Sequence, residues 1–188
     1  MNTCKALIIG GSAGSLDVLL HLLPGLKPDL SFPIVIVVHR KQGNDLLLAN
    51  LLASRTTMQV KEAEEKETIL AQHIYIAPPD YHLLIERDFS FSLDYSEKVN
   101  YSRPSIDVTF QSAAEVYAAT LACLLLSGSN ADGVNGLKTV KRFGGLALAQ
   151  DPASASVSYM PEQAILNVDM DAVLPIEEMA AYLNSLSA

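Results

Sequence analysis

The sequence predicts an α/β fold: a doubly wound, mostly parallel sheet with helices on both faces and a small antiparallel hairpin at one edge. Aliphatic runs alternate along the chain with segments whose leucines recur at helical spacing. Hydrophobic residues make up 49% of the chain and aromatic residues only 6%, with no tryptophan. An aliphatic core of this kind is typical of parallel strands buried on both faces. With 188 residues, the chain is expected to form one domain, residues 1–188.

The first half of the chain predicts two strands, each followed by a helix. Unbroken aliphatic runs predict the strands, and leucines three or four residues apart predict the helices. Pro24 and Gly25 end the first helix. The predicted elements are a strand at Cys4–Ile9, a helix from Leu16 to Leu23, a strand at Phe32–Val38 and a helix at Asp45–Ala53.

The middle of the chain has a different character. Ile74–Ala77 predicts a short strand that Pro78 and Pro79 end. Alternating residues on either side of Arg87–Asp88, over 81–86 and 89–93, predict a hairpin attached to the edge of the main sheet. The mixed charges of Lys61–Glu67 indicate a solvated face or loop.

The alternation of strands and helices then returns. Ser105 is expected to cap a helix that runs to about Tyr117, and Pro175 is expected at the first position of the last helix. The elements predicted between them are a strand at Leu121–Leu126, a helix at Val134–Phe143, a strand at Leu146–Ala149, a helical turn at Pro161–Leu166 and a strand at Ala172–Leu174.

Charge and cysteine content exclude several classes of function. The formal net charge of −8 argues against a nucleic-acid or anionic-lipid surface, which needs clustered Lys and Arg. The only two cysteines, Cys4 and Cys123, start apolar runs and are expected to be buried, reduced thiols in neighbouring strands. The N-terminal segment is too short for a signal peptide or a membrane span, which predicts a cytoplasmic protein.

Three polar residues stand at the carboxyl ends of predicted strands, where open α/β sheets gather their functional groups. Ser12 lies in Gly10–Gly11–Ser12–Ala13–Gly14, a literal G-x-S-x-G match. His39 follows five aliphatic residues, and Asp132 lies in the loop after Leu121–Leu126. A serine needs a base to take its proton and a carboxylate to orient that base, so these three residues predict a serine hydrolase.

Each of these residues also has a structural interpretation. The glycine-rich turn suits a nucleotide loop or a plain tight turn, although Ile9 occupies the first glycine of the dinucleotide fingerprint and no P-loop lysine is present. Asp132 suits a cap for the helix that follows it, and Asp151 is a rival carboxylate with nearly the same topological position. Structural roles are expected for the other three histidines, His21, His73 and His82.

Taken together and in order, several stretches resemble the catalytic domain of the bacterial chemotaxis protein-glutamate methylesterases, the CheB family. The match spans essentially the whole chain, and its order is far more specific than any single motif. The matching stretches are Ile8–Gly14 for the nucleophile loop, Val37–His39 for the histidine strand, Ile74–His82, Arg103–Asp107, Leu126–Gly133 for the aspartate loop, Gln150–Asp151 and Met160–Pro161.

The resemblance implies hydrolysis of glutamate methyl esters on chemoreceptor-type proteins, with glutamine deamidation as a related activity. It implies a triad in the chain order Ser12, His39, Asp132, and no metal or organic cofactor. The implied oxyanion donors are the backbone N–H groups of Ala13 and Ser129. Arg103 is the substrate-binding cation that the match supports, whereas Arg40 and Lys41 are expected to be solvated surface residues.

The sequence also departs from the family pattern. Ala13 replaces a threonine, Arg40–Lys41 replaces Met–Pro, and Ser129–Asn130 replaces Met–Gly. The usual enzyme carries an N-terminal receiver domain that gates the site, whereas here Met1 precedes the first strand by only a few residues. Either a separate regulatory receiver protein is a partner besides the methylated receptor, or this control is lost, or the sequence is one excised domain. The substitutions keep a second hypothesis open, a catalytically weak receptor-binding or regulatory module. Dinucleotide binding is a third.

Overall fold

The protein forms a seven-stranded parallel sheet flanked by helices, which confirms the predicted fold class. The computed structural model describes residues 3–40 and 45–187. Every pairing within the seven-stranded sheet is parallel. No helix in these two stretches is both long and apolar enough to span a bilayer.

The strands and helices follow the predicted alternation. The strands are β1 (Ala6–Gly11), β2 (Ile34–Val38), β3 (Gln59–Glu62), β4 (His73–Ile76), β5 (His82–Ile85), β6 (Phe91–Asp94), β7 (Leu121–Leu125), β8 (Leu146–Gln150) and β9 (Ala172–Leu174). The α-helices are α1 (Ser15–Leu22), α2 (Asp45–Ala53), α3 (Ile106–Tyr117), α4 (Val134–Arg142), α5 (Tyr159–Asn167) and α6 (Ile176–Ser185). The main sheet has the order β3-β4-β2-β1-β7-β8-β9.

The order of this sheet reverses at β1, which lies between β2 and β7. From β1 the sheet extends on one side through β2, β4 and β3, and on the other through β7, β8 and β9. Alternate residues of β1 enter two separate apolar layers, with Ile8 in one and Leu7 in the other. Burial on both faces explains why these strands are continuous aliphatic runs. The carboxyl ends of β1, β2 and β7 therefore meet at the point where parallel sheets bind ligands.

The predicted hairpin exists, but it forms a sheet of its own instead of extending the edge of the main one. Among the described strands, β5 and β6 pair with each other and with no strand of the main sheet. Phe91 of β6 also exchanges backbone hydrogen bonds with the segment after β3, at Lys66 and Glu67. The hairpin packs over α3, where the Thr109 hydroxyl donates to the Leu83 carbonyl (2.7 Å) and the Ser112 hydroxyl accepts the Ile85 N–H (3.1 Å). The rings of Phe91 and Tyr75 meet edge to face at 4.9 Å. Burial of its apolar face fixes the hairpin on top of the helix layer.

The prediction for Lys61–Glu67 is wrong at its start, because Lys61 and Glu62 belong to the edge strand β3. An edge strand tolerates charged residues, since one of its sides faces solvent. Lys61 forms ion pairs with Glu64 (2.9 Å) and Glu67 (2.8 Å), which holds the following turn against the strand. Charge alternation therefore concealed a strand here.

The two predicted helix starts are also corrected. Ser105 occupies the N-cap position of α3, but its side chain makes no cap hydrogen bond and donates instead to Asp132 at 2.8 Å. Pro175 precedes α6 at its N-cap position and is not its first helical residue. The start of each helix is therefore predicted correctly. At Ser105 the hydrogen-bond partner differs from the prediction, and at Pro175 the position differs by one residue.

The two cysteines are free and buried, as predicted. Cys123 lies in β7, whereas Cys4 precedes β1 and does not lie within it. Burial raises the pKa of the Cys4 thiol to about 11 and that of Cys123 well above its ordinary value. Both residues therefore remain neutral, packed thiols at physiological pH.

Candidate active site

Ser12 lies directly after β1, between the ends of its two neighbouring strands. Its backbone N–H donates to the Ser127 carbonyl beyond β7 (2.9 Å), and the preceding Gly11 carbonyl accepts the His39 N–H beyond β2 (3.2 Å). The turn then passes through Gly14 at a φ of 81°. A Cβ there would approach the Ser127 hydroxyl oxygen and the Ser156 Cβ to 2.8 Å, so only glycine fits. The tight turn leaves the serine half-buried at the switch point of the sheet.

Two further serines hold the peptide planes of this turn. The Ser15 hydroxyl donates to the Ser12 carbonyl at 2.7 Å, and the Ser15 N–H donates to the same oxygen at 3.0 Å. The Ser127 hydroxyl donates to the Ala13 carbonyl at 2.7 Å. The carbonyl and the N–H of a planar peptide point in opposite directions, so fixing the Ser12 carbonyl also fixes the direction of the Ala13 N–H.

The two backbone N–H groups predicted as oxyanion donors are free to donate hydrogen bonds. Among the residues that the structure describes, neither the Ala13 N–H nor the Ser129 N–H has a hydrogen-bond acceptor. Both residues are exposed, Ala13 after β1 and Ser129 after β7. Two free N–H groups on adjacent strand ends are able to receive a negatively charged oxygen without breaking an existing bond.

His39 is hydrogen-bonded to Asp132 across the sheet. The Nε2 atom of His39 lies 2.7 Å from Oδ2 of Asp132. A carboxylate only accepts hydrogen bonds, so the proton lies on Nε2, and Nδ1 of a neutral imidazole is left as the basic nitrogen. The imidazole is therefore oriented by the predicted aspartate, and the rival Asp151 instead accepts the Ala153 N–H at a short turn after β8.

The hydroxyl group that lies beside the basic nitrogen of His39 in this structure belongs to Ser102 and not to Ser12. The Ser102 hydroxyl lies 3.4 Å from Nδ1. Within the described residues, the Ser12 hydroxyl makes no hydrogen bond, so it does not reach Nδ1 in this conformation. The two backbones are nevertheless neighbours, since the last paired residues of β1 and β2 are Gly11 and Val38. Catalytic hydrogen bonds are often long in unliganded sites and shorten when substrate binds.

Asp132 is fully buried and accepts hydrogen bonds from several groups besides His39. Its carboxylate receives the N–H of Ile106 (2.7 Å), the N–H of Asp107 (3.1 Å) and the Ser105 hydroxyl (2.8 Å). It therefore caps α3 from a distant loop and not α4, the helix that the sequence suggested. Burial alone would raise the pKa of Asp132, but the hydrogen bonds from His39, Ile106 and Asn100 outweigh it and hold the pKa below 3.8.

A second buried carboxylate, Asp107, lies beside the first. It is 3% exposed and accepts the Gly136 N–H at 2.6 Å, which caps α4. Burial raises the pKa of Asp107 above its ordinary value, and the Asp132 charge raises it further. The Asn100 side-chain amide donates to both carboxylates, at 2.9 Å to Asp107 and 3.0 Å to Asp132. The sequence places Asp107 near a helix start, as a weaker candidate carboxylate than Asp132, and no sequence pattern indicates Asn100.

A cavity of about 450 Å³ opens beside His39, and its charged lining is mainly positive. Arg103 stacks on the Tyr95 ring (3.8 Å) and donates to the carbonyls of Tyr95 (3.2 Å) and Ser96 (2.6 Å). The predicted substrate-binding arginine thus shares a cavity with His39 while it also holds a neighbouring loop. The lining residues are His39, Arg40, Asp80, Lys98, Tyr101, Ser102 and Arg103.

Arg40 is not the solvated surface residue that the sequence predicted. Its side chain is 15% exposed, forms an ion pair with Glu62 of β3 and donates to the Ala77 carbonyl at 3.3 Å. This arginine therefore joins the carboxyl ends of β2, β3 and β4 at the rim of the cavity. Lys41, predicted in the same way, lies outside the described residues.

Comparisons with known proteins identify the family of this chain. A family model described as CheB methylesterase matches residues 7–183. A Leptospira interrogans protein that carries the name protein-glutamate methylesterase/protein-glutamine glutaminase only provisionally is 46% identical over 94% of this chain and 91% of its own length. A Thermotoga maritima protein with that name is 37% identical over 97% of this chain and 54% of its own length.

A solved structure of the same family has the same fold. The crystal structure of the Thermotoga maritima CheB methylesterase catalytic domain superposes with a TM-score of 0.93 at 35% sequence identity, covering 98% of this chain and 100% of that one. The chain spans about half the length of several longer relatives, such as one from Thiobacillus denitrificans (38% identical, 93% of this chain, 50% of its own length). This chain belongs to the CheB methylesterase family and has the fold of its catalytic domain.

Proposed function

We propose that this protein hydrolyses glutamate methyl esters on a methylated chemoreceptor-type protein, with Ser12 as nucleophile, His39 as general base and Asp132 as the group that orients the histidine. The observation that carries the proposal is the 2.7 Å hydrogen bond from His39 to a buried carboxylate, beside a serine on the adjacent strand end. Deamidation of glutamines and a cytoplasmic location belong to the same proposal.

The first half of the reaction forms an ester between the enzyme and the substrate. A rotation of the Ser12 side chain brings its hydroxyl to Nδ1 of His39, which takes the proton as the oxygen attacks the ester carbonyl carbon. The N–H groups of Ala13 and Ser129 stabilise the resulting oxyanion. Collapse of the tetrahedral intermediate breaks the bond to the methoxy group, which leaves as methanol with the proton from His39.

The second half returns the enzyme to its starting state. Water attacks the acyl group on Ser12 and gives its proton to Nδ1 of His39. The bond to Ser12 breaks, the serine recovers the proton, and a glutamate carboxylate leaves. With a glutamine substrate, ammonia replaces methanol as the first product. Throughout both halves Asp132 stays ionised and keeps the imidazole in one tautomer, consistent with a pKa held below its ordinary value.

The positive lining of the cavity supports an acidic receptor segment as the substrate. The formal net charge of the chain is −8, so long-range attraction to an acidic partner is unfavourable. Lys98 and Arg103 provide local positive charge in the cavity beside the imidazole, with Asp80 as the one acidic residue among those that line it, whereas Glu62 compensates the charge of Arg40. We propose Arg103 as the substrate-binding cation, and a separate receiver protein as the regulator.

Methanol release from methylated receptor membranes tests the proposed function. The wild type is expected to release methanol, and Ser12→Ala is expected to lower the rate by several orders of magnitude. Ser185→Ala, at an exposed serine of α6 remote from the site, is the matched control and is expected to retain wild-type activity. Full activity in Ser12→Ala would refute the assignment of the nucleophile.

A receptor-binding module with little turnover is the second candidate. The observation in its favour is that Ser102, and not Ser12, has the hydroxyl within 3.5 Å of the basic nitrogen. This candidate predicts measurable binding to methylated receptor membranes without release of methanol. The enzyme predicts both.

A further inference from the structure

One side chain outside the proposed triad contacts both buried carboxylates of the site. The Asn100 amide nitrogen carries two hydrogens and lies 2.9 Å from Oδ2 of Asp107 and 3.0 Å from Oδ1 of Asp132. An amide –NH₂ group is able to donate to two acceptors at once, and a carboxylate only accepts when ionised. Asn100 thus lies where two like charges need a shared donor.

The other groups that compensate the two carboxylates are mostly neutral donors, and no other side chain among the described residues donates to both. Asp132 receives two backbone N–H groups of α3, the Gly133 N–H (3.1 Å) and the Ser105 hydroxyl, and His39 is its only titratable donor among the described residues. Asp107 receives the Gly136 N–H from α4. No Lys or Arg within the described chain forms an ion pair with either carboxylate. Neutral hydrogen-bond donors therefore provide most of the stabilisation of the two negative charges. Asn100 is the side chain that donates to both carboxylates.

The backbone around Asn100 is built to present its amide. Asn100 and Tyr101 have positive φ values of 51° and 61°, and Val99 and Ser102 exchange backbone hydrogen bonds across them. This pair of left-handed residues closes a tight turn, and asparagine adopts that conformation more readily than most residues. Ser102 at the end of the turn lies 3.4 Å from Nδ1 of His39, so a single turn contacts the base as well as both carboxylates.

We propose that Asn100 is a positioning residue for the reaction: its amide separates Asp107 from Asp132 and holds Asp132 ionised and aimed at His39. The inference rests on the proposed triad. It assigns a function to an exposed turn that no strand or helix supports, and it explains why a second carboxylate can lie so close to the one that orients the imidazole.

Two variants separate donation by the amide from the shape of the turn. Asn100→Gly keeps the left-handed backbone and removes both hydrogen bonds. Asn100→Asp keeps the size and the turn preference but replaces the donor by a third carboxylate. Loss of a hydrogen bond to a charged group predicts that Asn100→Gly lowers kcat by about 10- to 100-fold with little change in KM. Asn100→Asp is expected to be slower still.

Gln72→Gly is the matched control for the backbone. Gln72 is exposed, has a φ of 62° and precedes β4 at the opposite end of the sheet from the site. Its replacement is expected to leave kcat and KM unchanged. A role confined to the turn predicts instead that both Asn100 variants keep the wild-type kcat, since glycine and aspartate both support a left-handed turn. Wild-type kcat in Asn100→Gly, or an Asn100→Asp variant as active as the wild type, would overturn the proposal.

A spectroscopic measurement keeps the positioning role separate from the proposed activity. The imidazole proton shared by His39 and Asp132 is expected as a downfield proton resonance that disappears in His39→Gln. The resonance should shift or broaden in Asn100→Gly and remain unchanged in Gln72→Gly. A wild type that releases no methanol would refute the proposed function while this resonance still tests Asn100. An unchanged resonance in Asn100→Gly would refute the positioning role alone.

Discussion

Asp132 caps the helix that contains Asp107, and Asp107 caps the helix that follows Asp132. The N–H groups of Ile106 and Asp107 at the start of α3 donate to Asp132, and the Gly136 N–H in the first turn of α4 donates to Asp107. Each helix start therefore depends on a carboxylate supplied by the other segment. Because Asp132 also holds His39, the packing of α3 against α4 and the orientation of the base are one structural unit.

Replacing Asp132 should destabilise the fold as well as abolish the reaction. Asp132→Ala leaves several buried donors without an acceptor, which predicts a loss of about 3–5 kcal/mol in the free energy of unfolding. Asp151→Ala removes the cap of one short turn and is expected to cost about 1 kcal/mol with activity retained. Urea denaturation measures both values. Equal losses in the two variants would contradict the account of Asp132.

The pH dependence of stability should separate the two carboxylates. The pKa of Asp107 is raised in the folded state, so between 3.8 and that raised value the folded protein binds more protons than the unfolded chain. Its contribution to stability therefore falls as the pH rises through this window. The pKa of Asp132 is lowered, so its contribution is present above 3.8 and is lost as the pH falls through the folded value.

Asp107→Asn tests this opposition of sign. It removes the contribution of Asp107 and leaves that of Asp132. Relative to the wild type, the free energy of unfolding of Asp107→Asn is expected to become larger, and the variant therefore more stable, as the pH is raised from about 3 to about 7. Denaturation curves at each pH give the difference. Two curves that stay parallel across the window would show that the Asp107 pKa is not raised.

Gly136 offers a test of the close contact between α3 and α4. Helix propensity alone predicts that Gly136→Ala stabilises α4 by about 1 kcal/mol. A Cβ there would lie 2.5 Å from the Phe110 Cβ and 3.2 Å from the Asp107 Cα, so destabilisation by about 1–3 kcal/mol is expected instead. Asn135→Ala, at the exposed neighbouring position, is the control and should be neutral or stabilising. Thermal unfolding of both variants measures the sign.

Much of the fold and part of the site could be predicted from the sequence. Buried parallel strands are continuous aliphatic runs, so β1, β2 and β7 were identified within one or two residues, and with them the strand ends that carry Ser12 and His39. The position of Asp132 could also be predicted from the strand before it, but the helix that it caps could not. Local sequence suggests that an aspartate before a helix caps that helix, whereas this carboxylate reaches α3, which lies 25 and 26 residues earlier in the chain.

The features that were missed depend on long-range contacts. Asn100 lies in an exposed turn without periodicity, and only the fold brings its amide to two buried carboxylates. Arg40 looked like a surface residue because its partner Glu62 is in β3, a strand whose mixed charges concealed it. Sequence patterns describe which side of an element is buried, but they do not describe which polar groups meet across elements.

The most direct test of the proposed site is to locate the serine that reacts with a fluorophosphonate. The Ser102 hydroxyl lies 3.4 Å from the basic nitrogen of His39, and Ser12 lies on the adjacent strand end, but only Ser12 is proposed to attack. Peptide mass spectrometry of the labelled protein should find the adduct on Ser12 and should find none in His39→Gln. An adduct on Ser102, or labelling that persists without His39, would contradict the proposed triad.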